Sequence, residues 1–219
     1  MKKRKFLIIW CITFFTLAVL AIYSVVRLSS QRKYLVLVNK THRLPSDWES
    51  EINLVKTSDP WGNDVIIEQK TLKQFEKLQK ALLNQGVDIR LDSVYRSVED
   101  QEDLWAYFEQ EYGEDYCKQY IAVPGYSEHH TGLAIDICMI INGESDNDND
   151  HMIANTELFA KVHELMPEYG FILRYQKGKE DITGYSYEPW HLRFIGNTKI
   201  AKDITERGIT LEEYLGEVP

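Results

Sequence analysis

Asp136 interrupts an otherwise apolar run, Leu133-Ala134-Ile135-Asp136-Ile137-Cys138-Met139-Ile140, and any fold that buries this run must find a partner for the carboxylate. A buried carboxylate is costly unless it is paired or binds a metal. Candidate partners lie in two short stretches, Ser127-Glu128-His129-His130-Thr131-Gly132 just upstream and Glu188-Pro189-Trp190-His191 far downstream. Zinc in a catalytic site takes about three ligands of the His, Asp or Glu type and keeps one position open for water. His129, Asp136 and His191 fill those three places. Glu188, three residues before the last of them, is then available to take a proton from water whose pKa zinc lowers to roughly 7. The set predicts a hydrolytic zinc site.

Singly, each residue has an ordinary reading: a loop histidine bonded to backbone, or a turn or capping aspartate. The combination carries the prediction. His130 competes with His129 for one place, and the seven-residue spacing to Asp136 favours His129. Pro189 discourages a regular helix through the second stretch, so these residues differ from the helical H-E-x-x-H zinc motif and are expected on a strand or loop.

The two stretches, written as S-x-H-x-x-G-x-A-x-D and E-P-W-H, resemble the VanY-type D-alanyl-D-alanine carboxypeptidases and the related L,D-carboxypeptidases of bacterial cell walls. The resemblance extends over roughly Lys33 to Gly196 and includes Leu37-Val38-Asn39-Lys40, Tyr95-Arg96-Ser97, Pro124-Gly125-Tyr126, Gly170-Phe171-Ile172-Leu173-Arg174-Tyr175 and Thr183-Gly184. It implies one zinc ion on His129, Asp136 and His191, with Glu188 as catalytic base. It also implies that Arg96 holds the substrate's terminal carboxylate, helped by Ser127. Gln101 matches a glutamine often seen after that arginine and is a further candidate for the substrate pocket, with bracing of the loop as its ordinary role. Gln176, Phe194 and His130 depart from the pattern, where proline, tyrosine and glutamine are common, and none of them removes a ligand or the base.

Met1-Lys2-Lys3-Arg4-Lys5 precedes an uncharged run over 6–26, long enough to cross a bilayer of about 30 Å as a helix. The basic residues place the N-terminus in the cytoplasm and everything after Arg27 outside. A cleaved signal would have a shorter apolar core and a clear small-residue site, so an anchor is the preferred reading and secretion after cleavage the alternative. The expected organisation is a cytoplasmic tail at 1–5, an anchor at 6–26, a linker at 27–33 and an extracellular zinc carboxypeptidase domain at 34–219. Roughly 190 residues remain for that domain, enough for a core of its own. The formal charge of −9 argues against a nucleic-acid partner. Of three cysteines, Cys11 falls in the anchor, leaving Cys117 and Cys138 as buried thiols or, alternatively, a disulfide. Cys138 as a fourth metal ligand would close the site.

Periodicity predicts a strand over 34–38, and a helix over 71–85 with Leu72, Phe75, Leu78, Leu82 and Leu83 on one face. A strand over 87–91 then delivers Tyr95 and Arg96 to its end. Ser97 and Asp100 open a capped helix running to Tyr112, whose Leu104, Trp105 and Phe108 read as core packing. Beyond the strand that carries Asp136, the residues Asp146, Asp148, Asp150 and Glu157 occupy four places of an EF-hand-like calcium loop. His151 stands where that loop requires glycine, so the stretch is read as a solvated acidic loop at the rim of the cleft, with calcium as the alternative.

A helix over 156–169 is expected, with His163 as an ordinary helix residue, then strands over 171–174 and 190–195 and short helices over 197–206 and 211–215. This mixture predicts an α+β fold with a mainly antiparallel central sheet and flanking helices, preceded by one transmembrane helix. The expected function is removal of the terminal D-alanine from peptidoglycan stem peptides by a monomer. The alternatives are L,D-carboxypeptidase action on the tetrapeptide, an endopeptidase of phage-lysin type, and a non-catalytic wall-binding module.

Overall fold

The computed structural model describes residues 32–218. The tail at 1–5 and the anchor at 6–26 lie outside the described residues, among which no helix is long and apolar enough to cross a membrane. The chain divides into two units, residues 1–35 and 36–219. The described end of the first forms a 3-10 turn, Lys33–Leu35, so the strand predicted over 34–38 is not formed. In the second unit Leu37 and Val38 are buried without strand pairing, and the Val36 carbonyl accepts a hydrogen bond from the Arg193 guanidinium at 2.8 Å. Burial and one side-chain donor satisfy a segment whose composition suggested a ladder.

The second unit continues with a hairpin that the sequence reading did not anticipate. Strands β1 (Leu54–Ser58) and β2 (Asp64–Glu68) pair antiparallel across a turn in which the Asp59 carboxylate accepts from the backbone N–H groups of Trp61 and Asn63. Helix α1 (Gln69–Leu83) is capped by the Glu68 side chain and buries Phe75, Leu78 and Leu82. Strand β3 (Ile89–Ser93) leads to α2 (Val98–Tyr112), opened by the predicted Ser97–Asp100 capping box and ended at Gly113. A further helix, α3 (Glu114–Tyr120), packs on α2.

Next come β4 (Ala134–Ile141), β5 (Glu144–Asp146), α4 (Asn149–Ala154) and α5 (Thr156–Leu165). The helix expected to reach 169 stops at Leu165 and gives way to a 3-10 turn, Met166–Tyr169, because Pro167 has no N–H to donate to the α-helical ladder. The chain ends with β6 (Phe171–Leu173), α6 (Glu180–Thr183), β7 (His191–Phe194), α7 (Thr198–Arg207) and α8 (Leu211–Leu215).

The main sheet runs β3-β4-β7-β6, with β5 paired to β4, and every pairing is antiparallel. The expected α+β class is therefore the observed one. Ile89, Ile135, Ile137 and Leu192 of the sheet are buried, as are Phe75 and Leu78 of α1 and Phe159 and Val162 of α5. Register matters most at the ends of β4 and β7, where Asp136 stands opposite His191, and where Ser93 of β3 pairs with Asp136 from the other side. Cys117 and Cys138 are free, buried thiols, so the alternative disulfide is not formed.

Candidate active site

A 3-10 turn, Glu128–Thr131, carries His129 into the mouth of the sheet. The Ser127 hydroxyl caps it by accepting from the His129 N–H at 3.3 Å, and Gly132 ends it at φ 66, a left-handed conformation that costs an L-residue energy. A Cβ at Gly132 would also lie 3.1 Å from Leu54 Cδ2 and 3.3 Å from the Glu68 backbone nitrogen. This tight turn sets the distance between His129 and β4, whose third residue is Asp136. His191 enters as the first residue of β7, directly opposite.

The Asp136 carboxylate bridges the two imidazoles: Oδ2 is 3.2 Å from His129 Nε2, and Oδ1 is 2.9 Å from His191 Nδ1. One ligand atom from each of the three residues lies within 4.8 Å of the others, the sole such group of three or more among the described residues. The Asp146, Asp148, Asp150 and Glu157 side chains form no such group. Asp148 instead caps α4, bonding the His151 N–H at 3.0 Å.

Two details fit the triad to an ion. Asp136 Oδ1 is buried with no hydrogen-bond partner although His191 Nδ1 is close, so the approach is convergence rather than a directed bond. Ligand atoms around a tetrahedral zinc stand roughly 3.4 Å apart, close to both observed distances. The outer ring nitrogens are also engaged: His129 Nδ1 lies 2.7 Å from the Val94 carbonyl, and His191 Nε2 lies 3.4 Å from Glu128 Oε2. A proton on each of these atoms leaves His129 Nε2 and His191 Nδ1 as lone pairs facing Asp136.

Electrostatics separate the carboxylates. Burial alone would raise the Asp136 carboxyl, but His129 and His191 outweigh it and hold the group well below the usual carboxylate range. Glu188, whose Oε2 is 3.7 Å from His191 Nδ1, is pushed up to about 7, chiefly by burial, with Asp136 and Glu128 adding to the rise and His191 opposing it. Burial would lower the His191 imidazole, yet Asp136 and Glu128 raise it to about 10, so a metal cation bound at Nδ1 would take the place of a proton there.

Arg96 reaches the same cleft from the end of β3. Its guanidinium donates to Gln101 Oε1 at 2.9 Å and to Ser93 Oγ at 3.2 Å, and among the described residues no carboxylate lies within ion-pair distance. Gln101 is itself buried and donates to the Ala122 carbonyl at 2.8 Å, so its amide braces Arg96. His130 is settled as a buckle: Nδ1 is 2.7 Å from the Arg96 carbonyl and Nε2 accepts the Gly125 N–H at 3.1 Å. Both nitrogens are occupied, and burial lowers the ring below its ordinary value. Arg96, Gln101, Ser127, His129, Asp136, Glu188 and His191 all line one cleft of about 470 Å³. Leu104 and Phe108, read from sequence as core, line it too and are only half-buried; α2 buries Gln101 alone.

The family model for VanY, D-alanyl-D-alanine carboxypeptidase, matches residues 64–197. The chain belongs to the VanY family. It is 40% identical over 188 residues to the bifunctional D-Ala-D-Ala dipeptidase and D-Ala-D-Ala carboxypeptidase VanXYC of Enterococcus gallinarum, covering 82% of this chain and 92% of that relative. The solved LdcB LD-carboxypeptidase is similar with a TM-score of 0.72 at 35% identity, over 85% of this chain and 87% of that one. A mutant of the vancomycin resistance D,D-pentapeptidase VanY in complex with Zn(II) is similar with a TM-score of 0.68 at 29% identity, over 84% and 99%. The VanY-family chain is thus an enzyme of the carboxypeptidase class.

Several residues around this VanY-family site escaped the sequence reading. Glu128 is fully buried beside His191, and its Oε1 accepts from Arg174 Nε and from an Arg193 Nη, each at 2.7 Å. Arg174 continues to Glu212 at 2.6 and 2.9 Å, and Glu212 accepts from Asn39 at 3.0 Å. Tyr175 packs against the His191 ring at a tilt of 42°, with centroids 4.6 Å apart. His163, which its sequence position marks only as an ordinary helix residue, places Nε2 2.9 Å from the Pro189 carbonyl and so steadies the loop that carries Glu188. The signals were the position of Glu128 inside the first motif and two arginines in apolar surroundings, Arg193 within β7 and Arg174 directly after β6. Phe194 packs on Phe171 at 5.1 Å, and Gln176 ties to the Ile209 carbonyl at 2.8 Å.

Proposed function

We propose that this VanY-family chain is a zinc-dependent D,D-carboxypeptidase that removes the terminal D-alanine from peptidoglycan stem peptides. One observation carries the reading: a three-residue ligand set, a carboxylate raised to about 7 and an arginine without a carboxylate partner share a single cleft. His129, Asp136 and His191 would hold the zinc, which when bound supplies Lewis acidity and a water of lowered pKa.

Glu188 takes one proton from the attacking water as its oxygen bonds to the scissile carbonyl carbon. The same carboxyl then delivers that proton to the leaving nitrogen as the C–N bond breaks, and free D-alanine departs. An acid near neutrality performs both halves of this transfer efficiently. Arg96, braced by Gln101 and Ser93, receives the terminal carboxylate of the peptide, with Ser127 beside it. A bidentate guanidinium–carboxylate contact rewards a chain end and is lost for an internal bond, which favours trimming over endopeptidase action.

A second reading, L,D-carboxypeptidase action on the tetrapeptide, draws support from the likeness to LdcB. We also infer that residues 6–26 anchor the protein, with 1–5 cytoplasmic, 27–33 a linker and the catalytic domain at 34–219 outside the cell. The uncharged run behind four basic residues supports this placement. Mass analysis of products from synthetic pentapeptide and tetrapeptide tests the bond choice. Loss of one alanine from the pentapeptide alone is expected; loss from the tetrapeptide would move the assignment to L,D, and loss from neither would overturn both.

A further inference from the structure

Among the described residues, the exposed large apolar and aromatic side chains are not scattered evenly. Of the eight, Tyr107, Tyr112, Tyr120 and Val123 fall within one short stretch spanning α2, α3 and the loop after them. Their rings are organised. Phe108 stacks on Tyr112 and on Tyr116 at 5.8 and 5.9 Å, and Tyr116 meets Tyr112 and Tyr120 at 4.8 Å each. The inner pair, Phe108 and Tyr116, supports two outer rings that remain 60% and 52% exposed at Tyr112 and Tyr120. Gly113, at φ 88, joins the two helices that carry the strip.

This strip is continuous with the catalytic cleft, because Phe108 and Tyr120 line the same cavity as Arg96 and Glu188. Its chemistry narrows the occupant. Glu109, Glu111, Glu114 and Asp115 fall between the ring-bearing residues in the chain and are exposed, and Lys118 is paired to Glu114 at 2.7 Å. Such an acidic rim repels anionic lipid headgroups and nucleic-acid phosphates. It suits a neutral polyhydroxylated chain: carboxylates accept hydrogen bonds from sugar hydroxyls, while aromatic faces, which carry negative quadrupole charge, attract the C–H face of a pyranose ring.

We propose that the aromatic strip on α2 and α3 is a saccharide-stacking surface that holds the glycan strand from which the stem peptide hangs. The proposal rests on the stem-peptide reading of the cleft. With the peptide's free end at Arg96, the strip offers a path along which the remainder of the substrate leaves the cleft.

The test compares the full-length protein on free pentapeptide and on the same pentapeptide carried by its N-acetylated disaccharide. The disaccharide form should show a KM lower by about tenfold, the gain of roughly two aromatic contacts. The double variant Tyr112→Ala, Tyr116→Ala, neither residue lining the cleft, should lose that difference while kcat on free pentapeptide is unchanged. A titration of the native protein with tetra-N-acetylchitotetraose needs no variant and should perturb the tyrosine signals of the strip.

Equal KM values for the two substrates, with no perturbation by the tetrasaccharide, overturn the proposal. A strip that answers only to a cationic peptide, or that drives concentration-dependent dimerisation, overturns it as well. Saccharide binding without any peptide cleavage would sink the carboxypeptidase reading and leave the saccharide surface standing.

Discussion

Asp136 survives in an apolar strand because two imidazoles approach it, at 3.2 and 2.9 Å, and an ion shared by the three would give a partner to the oxygen that has no hydrogen bond. Glu188 stands one step outside this group. Glu188→Gln should retain zinc and fold while kcat falls by about 10²–10⁴, the usual contribution of a general base; unchanged turnover at full metal content would remove it from the mechanism. Glu128 is the structural counterpart. Burial alone would raise its carboxyl, but the Arg174 and Arg193 guanidiniums outweigh burial and hold it well below the usual carboxylate range. A depressed carboxyl contributes stability that is complete above the unfolded value of about 4.3 and drains away as pH falls below it. Glu128→Ala should therefore cost about 3–5 kcal/mol at pH 7, because it removes the buried carboxylate shared by Arg193 and Arg174 while Arg174 keeps only Glu212 as its carboxylate. Urea unfolding should find a smaller difference between pH 7 and pH 3 in Glu128→Gln than in the native protein; an unchanged difference would mean that Glu128 is not linked to acid unfolding.

The elements bring these side chains together through a few tight joints. Gly132 closes the turn between His129 and β4 at φ 66 with backbone and Leu54 pressed against it, whereas Gly178, at φ 80, faces open space. Gly178→Ala should cost the backbone term alone, about 1–2 kcal/mol. Gly132→Ala should lower the melting temperature further and weaken zinc binding; equal melting shifts with unchanged zinc affinity would show that the turn does not set the site. The ligand spacing and the Ser97–Asp100 cap were legible in the sequence because each is a local pattern with a local physical cause. The Glu128 network was not, because Arg174, Arg193 and Glu212 come from segments far apart in the chain and nothing local pairs them. Helical periodicity likewise shows that Leu104 and Phe108 share a face of α2, but not that this face borders a cleft rather than the core. The strand expected over 34–38 failed for a related reason: Leu37 and Val38 are buried without strand pairing.

At the scale of the whole molecule, a chain with a formal charge of −9 keeps the Arg96 guanidinium without a carboxylate partner among the described residues, in the same cleft as a raised acid and a ligand triad. Local charge, rather than the net field, then decides what enters. The antiparallel sheet supplies the rigidity, since the register of β4 with β7 fixes Asp136 against His191, and β3 delivers Arg96 from the other edge. The claim that joins these parts is that one zinc on His129, Asp136 and His191 makes the cleft a carboxypeptidase. The most direct test measures zinc content and D-alanine release from pentapeptide together, on the purified full-length chain, before chelation, after chelation and after zinc is returned. One zinc per chain, with release lost on chelation and restored by zinc, is the predicted result; release that persists in protein stripped of metal would contradict it.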